Sequence, residues 1–475
     1  MVNTANTVRI TTEDQLLRWR KRNRYYYGWL KRIYRSIVRP NSRVLHLGCE
    51  CGELLASVKP AYGVGIDPDP AAIELARKRF GDLIFHAADP AELNLNEKFD
   101  YILISNSLGR WRDIQQVFER AWAATEENTR IVITYYNYLW EGLLRLGSLV
   151  RIRRPCSYQN WLPTEDIANL LRLSNFDIIR TSSYLMLPKR IFPFTTLCNY
   201  LLSPLPVFRM LNLINLVIAR PVPRTKGNEE LSVSVIVPCR NERGNIRDAI
   251  RHIPQMGRET EIIFVDGSST DGTTEEIERH IRENPHLKIR LMHQGDGVGK
   301  GDAVRKGFEA ATGDVLVIQD ADLTAPPEDL PKFFRALRDG KGEYINGSRL
   351  VYPMEKQAMR FLNLLGNKFF GLLFSWLLEQ RFRDTLCGTK MISRKNYDLI
   401  AKNRSYFGDF DPFGDFDLIF GAVKQNLKVV EIPVTYRARK YGTTNISRFR
   451  HGWLLLKMSW VACKKLKWLG RTEIK

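Results

Sequence analysis

Twice along this chain a short apolar run ends in a cluster of glycine and polar residues and gives way to an amphipathic stretch, and this repeated alternation limits the fold more than any other feature. The first series runs from residue 42 to about residue 134, and the second begins at Leu231. Between them, residues 219–230 (ARPVPRTKGNEE) concentrate proline, glycine and charge, the composition of a linker. Such alternation predicts two α/β units, each on a mostly parallel sheet. The expected organisation is a basic helical lead-in over residues 1–39, a first domain over 40–220, a linker over 221–230 and a second domain over 231–475. The lead-in, rich in arginine and tyrosine over residues 11–39, reads as helix packed on the first sheet with its basic face in solvent.

Charge narrows the partners. Lysine and arginine number 72 against 52 aspartates and glutamates, and 30 basic and 20 acidic residues precede Pro223, so the excess is spread over both parts of the chain. A global basic bias favours anionic partners such as membrane surfaces and phosphorylated substrates. Nucleic acid is not expected, because no recognition motif accompanies the charge. Seven cysteines in 475 residues do not make a disulfide scaffold, and Cys49-Glu50-Cys51 is too tight for a zinc knuckle, so reduced thiols are expected. The N-terminus lacks a basic-then-apolar signal pattern, and no stretch reaches 18 uninterrupted apolar residues. Phe361–Leu378 and residues 200–218 come partway, each interrupted by asparagine and by a basic residue. The expected location is the cytoplasm, peripherally on the cytoplasmic face of a membrane.

In the first series, the apolar run RVLHL (residues 43–47) enters Gly48-Cys49-Glu50-Cys51-Gly52 and a helical ELLA. A glycine turn between strand and helix lets backbone approach a cofactor closely. A second strand, GVGI (63–66), ends at Asp67, spaced for a carboxylate on ribose hydroxyls. A third (83–86) precedes Asp89, and a fourth (101–104) leads to Asn106 and Ser107. These residues resemble the class I S-adenosylmethionine methyltransferases, over roughly residues 40–220, including the strand at 131–134. The resemblance implies a Rossmann-like fold in which Gly48 and Gly52 line the methionine end of S-adenosylmethionine, Asp67 holds the ribose, Asp89 lies near the adenine and Asn106 completes the cofactor site. A dinucleotide site fits less well, since GxGxxG spacing is absent. Two departures stand out: His46 replaces the family's usual acid and Glu50 its central glycine, where a side chain crowds the cofactor and repels its carboxylate. The rival to an active methyltransferase is a cofactor-binding or scaffolding module.

In the second series, VSVIV (233–237) ends at Pro238-Cys239-Arg240-Asn241-Glu242, and EIIFV (261–265) leads to Asp266-Gly267-Ser268-Ser269-Thr270-Asp271. Gly299-Lys300-Gly301 follows, then Val315–Ile318 into Gln319-Asp320-Ala321-Asp322. Each polar cluster sits at the C-terminal end of a strand, where open α/β sheets bind ligands. Asp320 and Asp322 are hard oxygen ligands suited to Mg2+ or Mn2+, and such an ion offsets the charge that develops on a nucleoside diphosphate as a sugar leaves it. This half resembles family 2 glycosyltransferases of the GT-A fold, and among them the dolichol-phosphate mannose and polyprenyl-phosphate glucose synthases. The resemblance implies that Pro238, Asn241, Glu242, Asp266, Asp271 and Lys300 contact the nucleotide of a nucleotide-diphosphate sugar. Gly267 stands where many relatives have a second Asp, which leaves the base open.

On the acceptor side the resemblance implies that Arg349 and Lys390 hold the phosphate of a polyprenyl phosphate, with Arg437 a further acceptor-binding candidate. An anionic acceptor needs cationic positioning more than a general base. A saccharide hydroxyl instead needs a carboxylate to take its proton, for which Asp384 and Asp417 stand as candidates. The Gln-x-x-Arg-Trp signature of processive synthases is absent, residues 380–384 reading QRFRD. Phe361–Leu378 and the Trp- and Lys-rich residues 446–470 suit an anionic membrane surface, with packing on the protein's own core as the alternative.

Overall fold

The computed structural model describes residues 13–92, 95–150, 159–223, 231–297, 299–352, 361–403, 415–442 and 448–467. The chain divides into two compact units, Met1–Arg224 with Lys467–Lys475 and Thr225–Leu466.

The first unit opens with helices α1 (Glu13–Arg22) and α2 (Arg24–Ile37). Helix α2 buries Tyr26, Trp29, Leu30, Ile33, Tyr34 and Ile37, a helical spacing that lays one face on the sheet. Seven strands follow: β1 (Arg43–Leu47), β2 (Tyr62–Asp67), β3 (Ile84–Ala87), β4 (Phe99–Ser105), β5 (Thr125–Tyr136), β6 (Phe176–Tyr184) and β7 (Ile214–Pro221). Helices α3 (Glu53–Ser57), α4 (Pro70–Arg79), α5 (Ile114–Ala123), α6 (Glu141–Leu149), α7 (Thr164–Leu173) and the short α8 (Phe194–Thr196) connect them. The sheet order is β3-β2-β1-β4-β5-β7-β6, parallel except for β7, which is antiparallel to both neighbours. Alternation along β4 sends Tyr101 and Leu103 into one core and Ile102 and Ile104 into another, so the sheet is buried on both faces. Strand β7 corrects the expected linker: Ala219 and Arg220 are buried strand residues, not connector. Arg220 can be there because its guanidinium meets Asp177 of β6 at 3.2 Å.

The second unit has β8 (Ser232–Cys239), β9 (Glu259–Asp266), β10 (Lys288–His293), β11 (Val315–Ile318), β12 (Tyr344–Ser348), β13 (Lys390–Ser393) and β14 (Val429–Pro433). Its helices are α9 (Arg243–His252), α10 (Thr273–Glu283), α11 (Lys300–Ala310), α12 (Leu330–Arg338), α13 (Phe361–Leu378), α14 (Arg394–Lys402), α15 (Asp415–Lys424) and α16 (Arg448–Leu466). The order is β10-β9-β8-β11-β13-β12-β14; β10 through β11 run parallel, while β13 is antiparallel to β11 and β12. Ile318 pairs with Lys390, so the start of β13 lies beside the end of β11. Among the described residues, no helix is long and apolar enough to cross a membrane.

Candidate active sites

In the second unit the C-terminal ends of β8, β9 and β11 bring most of the expected donor residues to one edge. Asn241, in the left-handed region at φ 57°, accepts a hydrogen bond from Thr270 N–H at 2.8 Å and so ties the β8 loop to the β9 loop. Asp266 is buried and accepts from the Ser269 hydroxyl at 2.5 Å and its N–H at 3.2 Å. Pro238 is half-buried near the end of β8. Asp271 accepts from the N–H of Arg243 and from the hydroxyl of Tyr441. Burial raises its carboxyl, but bonds from Thr273 and Arg243 outweigh that and hold it below the usual range.

The Asp-Ala-Asp loop follows β11. Lys300 Nζ lies 2.6 Å from Asp320 Oδ1, and Arg439 lies 2.5 Å from Asp322 Oδ2. Each of the two carboxylates thus already carries a cation of the chain's own. Asp322 Oδ1 accepts from Thr324 N–H and hydroxyl, which fixes its rotamer. Burial raises the Asp320 carboxyl, yet Lys300 first, then Lys390 and Arg349, pull it below the ordinary value. A Cβ on Gly388 would come within 1.9 Å of Asp320 Oδ2, so only glycine lets the 384–390 loop approach this carboxylate so closely. Among the described residues no cluster of three or more His, Cys, Asp or Glu forms a complete metal cage. Two hard carboxylates that draw cations, with a diphosphate to supply further oxygens, fit Mg2+ or Mn2+.

Arg349, Lys390, Asp384 and Arg437 of the acceptor-side candidates adjoin this edge. Arg349 makes a bidentate pair with Asp384, Nε to Oδ2 at 2.7 Å and NH2 to Oδ1 at 2.8 Å. Asp384 is fully buried; burial raises its carboxyl, and the Arg349 guanidinium outweighs that and holds it low. This geometry suits a carboxylate that orients Arg349 better than one that takes a proton. Lys390 is buried to 1 % exposure and donates to the Cys387 carbonyl. Arg437 reaches the Asp322 loop through its N–H, which donates to Thr324 O at 2.9 Å, while its side chain meets Glu328 at 3.6 Å. Asp417 is half-buried on α15, between the core residues Phe416 and Leu418.

Arg439 was not among the expected site residues. It bridges Asp322 and Glu242, the latter at 3.3 Å, and Glu242 also accepts from Asn245 at 2.6 Å. Burial raises the Glu242 carboxyl, and its Asp322 and Asp271 neighbours add to that. The loop after β14 therefore closes over the donor edge from a distant part of the sequence. The only local signal was its run of basic residues, Arg437, Arg439 and Lys440, ahead of Gly442.

In the first unit, Gly48 and Gly52 both have φ 73°, and a Cβ on them would strike Ser107 and Phe85. Asp67 accepts from Glu50 N–H at 2.9 Å and Asp69 N–H at 3.0 Å. Burial pushes its carboxyl up. Asn106 donates to Tyr26 OH at 2.6 Å. Asp89 is exposed, and accepts from Ala91 N–H at 2.9 Å as the cap of a single helical turn.

The loop backbone and Asp67 fit S-adenosylmethionine; the Glu50 side chain stands across the loop where the methionine end was expected. Glu50 meets Arg20 of α1 at 2.5 Å and Arg110 at 3.2 Å. Beneath this bridge, bounded by Arg20, Tyr27, His46, Gly48 and Ser105, is a cavity of about 20 Å³, room for a water and not for a methionine moiety. His46 is 2 % exposed, neither ring nitrogen has a partner, and burial lowers its pKa to about 3.

Comparison with known proteins gives each unit a relative. Residues 234–398 match the model of glycosyl transferase family 2, and residues 45–131 match that of a methyltransferase domain. The dolichol-phosphate mannosyltransferase of Saccharomyces cerevisiae is 39% identical over 114 residues, 23% of this chain and 42% of that protein. The protein of the same name from Pyrococcus furiosus is 29% identical over 221 residues, 46% of this chain and 59% of the relative. The chain thus spans less than two thirds of these relatives' length. Among solved structures, a mannosyltransferase from Pyrobaculum calidifontis in complex with GDP-Man and Mn2+ is 21% identical, with a TM-score of 0.33 over 48% of this chain and 60% of that one. An S-adenosylmethionine-dependent methyltransferase from Mesorhizobium loti is 17% identical, with a TM-score of 0.30 over 38% of this chain and 91% of that one.

Proposed function

We propose that this chain, whose residues 45–131 match a methyltransferase domain and whose residues 234–398 match glycosyl transferase family 2, uses the second domain to move a hexose from a nucleotide-diphosphate sugar to a polyprenyl phosphate at a membrane surface. The observation that carries this reading is the placement of Lys390 and Arg349, whose charges bear on the Asp320 carboxylate. Cations for a phosphate acceptor and carboxylates for a donor-bound ion thus share one edge.

Asp320 and Asp322 would hold the divalent ion. When bound, that ion offsets the charge on the diphosphate as the sugar–phosphate bond breaks. Lys300 stands beside Asp320, ready to pair with a donor phosphate oxygen. Asn241, Glu242, Asp266 and Asp271 shape the nucleotide side. Arg349, held by Asp384, and Lys390 position the acceptor, whose phosphate oxygen attacks the anomeric carbon in line while the nucleoside diphosphate leaves. The attacking oxygen is already anionic, so no side chain need take its proton.

Two helices support work at a membrane surface. On α13, Leu365, Phe369 and Leu372 are exposed while Phe370, Phe374 and Leu377 are buried. On α16, Trp453, Leu456 and Trp460 are exposed opposite Leu455, Met458 and Ala462. For the first domain we read an S-adenosylmethionine site whose methionine end is gated by the Glu50 bridge.

The test uses radiolabelled nucleotide sugars with a polyprenyl phosphate and extraction of product into organic solvent. Lys390→Met keeps the packing volume and removes the charge. A charge-assisted contact is worth about 1.5–3 kcal/mol, so acceptor KM should rise about tenfold or more. Donor hydrolysis without acceptor should change far less. Equal transfer by wild type and Lys390→Met would move the assignment to a saccharide hydroxyl, with Asp417 as the base to examine.

A further inference from the structure

We propose that the methyltransferase-bearing unit docks on an anionic bilayer of its own accord, through a face built from α6 and residues 191–211. Two short segments there turn their apolar residues outward. On α6 and the turn before it, Leu139, Leu143, Leu146 and Val150 recur at intervals of four, three and four and are at least half exposed. Trp140 and Leu144 face the core instead. Helix α6 thus has an apolar stripe on each side, and the protein uses only one. Residues 197–202 invert the usual pattern more plainly. Asn199 is 2 % exposed, with its amide on Leu187 N–H and Leu187 O, while Leu197 and Leu201 lie in solvent. Phe192, at 83 % exposure, and Phe194, at 60 %, stand just before them.

The two segments form one surface. Trp140 Nε1 donates to Leu211 O at 2.9 Å, and Asn137 Nδ2 donates to Met210 O at 2.7 Å. Helix α6 begins five residues beyond the end of β5, at the same sheet edge as the Gly48 and Asn106 loops, so docking would turn the cofactor edge toward the bilayer.

Charge selects the occupant. From residue 178 to residue 223 the sequence has five arginines and lysines, Arg180, Lys189, Arg190, Arg209 and Arg220, and no aspartate or glutamate. Arg190 is exposed, and Lys189 and Arg209 are half-buried beside the patch. The one acidic residue of α6, Glu141, is paired with Arg145 of the same helix, so protruding leucine and phenylalanine on a net cationic face complement acyl chains beneath anionic headgroups. A second copy applied through the same face would bring two such basic stretches together, with no carboxylate in residues 178–223 of either to offset them. This surface does not depend on the glycosyl-transfer reading.

The test is hydrogen–deuterium exchange on the full chain with phosphatidylcholine vesicles, with and without phosphatidylglycerol. Peptides covering 139–150 and 191–211 should gain protection only with phosphatidylglycerol, and high salt should remove it. The variant Leu143→Ser, Leu146→Ser, Phe192→Ser, Phe194→Ser changes solvent-facing side chains alone. It should lose about tenfold or more in vesicle affinity by flotation, while transfer to a water-soluble short-chain polyprenyl phosphate stays as in wild type. Unchanged flotation, or no protection in these peptides, overturns the proposal. Protection that rises with protein concentration in the absence of vesicles, with a doubling of mass in light scattering, overturns it in favour of a dimer. Failure of glycosyl transfer in wild type would count against the proposed function and leave the vesicle result standing.

Discussion

Single side chains carry the chemistry, and several carry it against cost. Asp322 shares its Oδ2 with Arg439 at 2.5 Å, so a divalent ion must compete with a guanidinium for that oxygen. Arg439→Gln should therefore tighten Mn2+ binding in the absence of nucleotide, measured by calorimetry or electron paramagnetic resonance. Asp322→Asn should lower turnover about a hundredfold or more, which corresponds to about 2.7 kcal/mol of lost stabilisation, and chelator should reproduce the loss in wild type. Full activity in excess chelator would remove the metal from the account. His46 supplies a pH test. Its folded pKa is depressed to about 3, against about 6.5 in an unfolded chain. Between those values the unfolded state binds the extra proton, so stability falls as pH falls, by up to about 1.4 kcal/mol per unit from this group. His46→Leu removes both this linkage and two unpartnered nitrogens. The variant should gain stability over wild type at pH 5 relative to pH 8 in denaturant titrations; an equal difference at both values would show that His46 does not titrate in this way.

At the scale of elements, helix α1 closes a pocket formed by a loop thirty residues away. Arg20 on α1 and Arg110 beyond β4 hold Glu50 across the expected methionine end. Glu50 also sits at φ 47°, where glycine is at ease and glutamate is not. Glu50→Gly should open the pocket, leave Arg20 NH2 open to a ligand carboxylate while NH1 stays on Glu53 at 3.4 Å, and raise affinity for S-adenosylhomocysteine about tenfold or more, by calorimetry. No binding by wild type and no gain in the variant would leave a scaffold. The elements themselves were largely legible, because RVLHL, VSVIV and EIIFV are strands buried on both faces and need continuous apolar residues. The reversed strands β7 and β13 were not. Direction is set by which neighbours a strand meets, and Arg220 reads as linker until Asp177 is seen beside it. The gathering of the expected donor residues at one edge was legible because they lie at the ends of such strands. Arg439 was not, since it reaches Asp322 across 117 positions, and neither was the Arg20–Glu50 bridge.

For the whole molecule, each unit has its own sheet and its own hydrophobic cores, so a ligand specific to one unit should stabilise that unit alone. A nucleoside diphosphate with Mn2+ at a hundred times its Kd adds about 2.7 kcal/mol to the state that binds it. Calorimetry should show one of two melting transitions move with this pair, and the other move with S-adenosylhomocysteine in Glu50→Gly. A shared shift would mean that the units melt together. The antiparallel pairing of β11 with β13 has one more consequence. Backbone hydrogen bonds set Ile318 opposite Lys390, so the separation between the Asp320 edge and the Lys390 backbone is fixed by strand register. A slip by one residue would throw Lys390 to the opposite face. Point mutation at this edge can delete a group or exchange it, but cannot adjust the span between the two centres. On the proposed function, a lineage that changed its sugar or its lipid would have to do so in the surrounding loops, with this span kept as a fixed gauge.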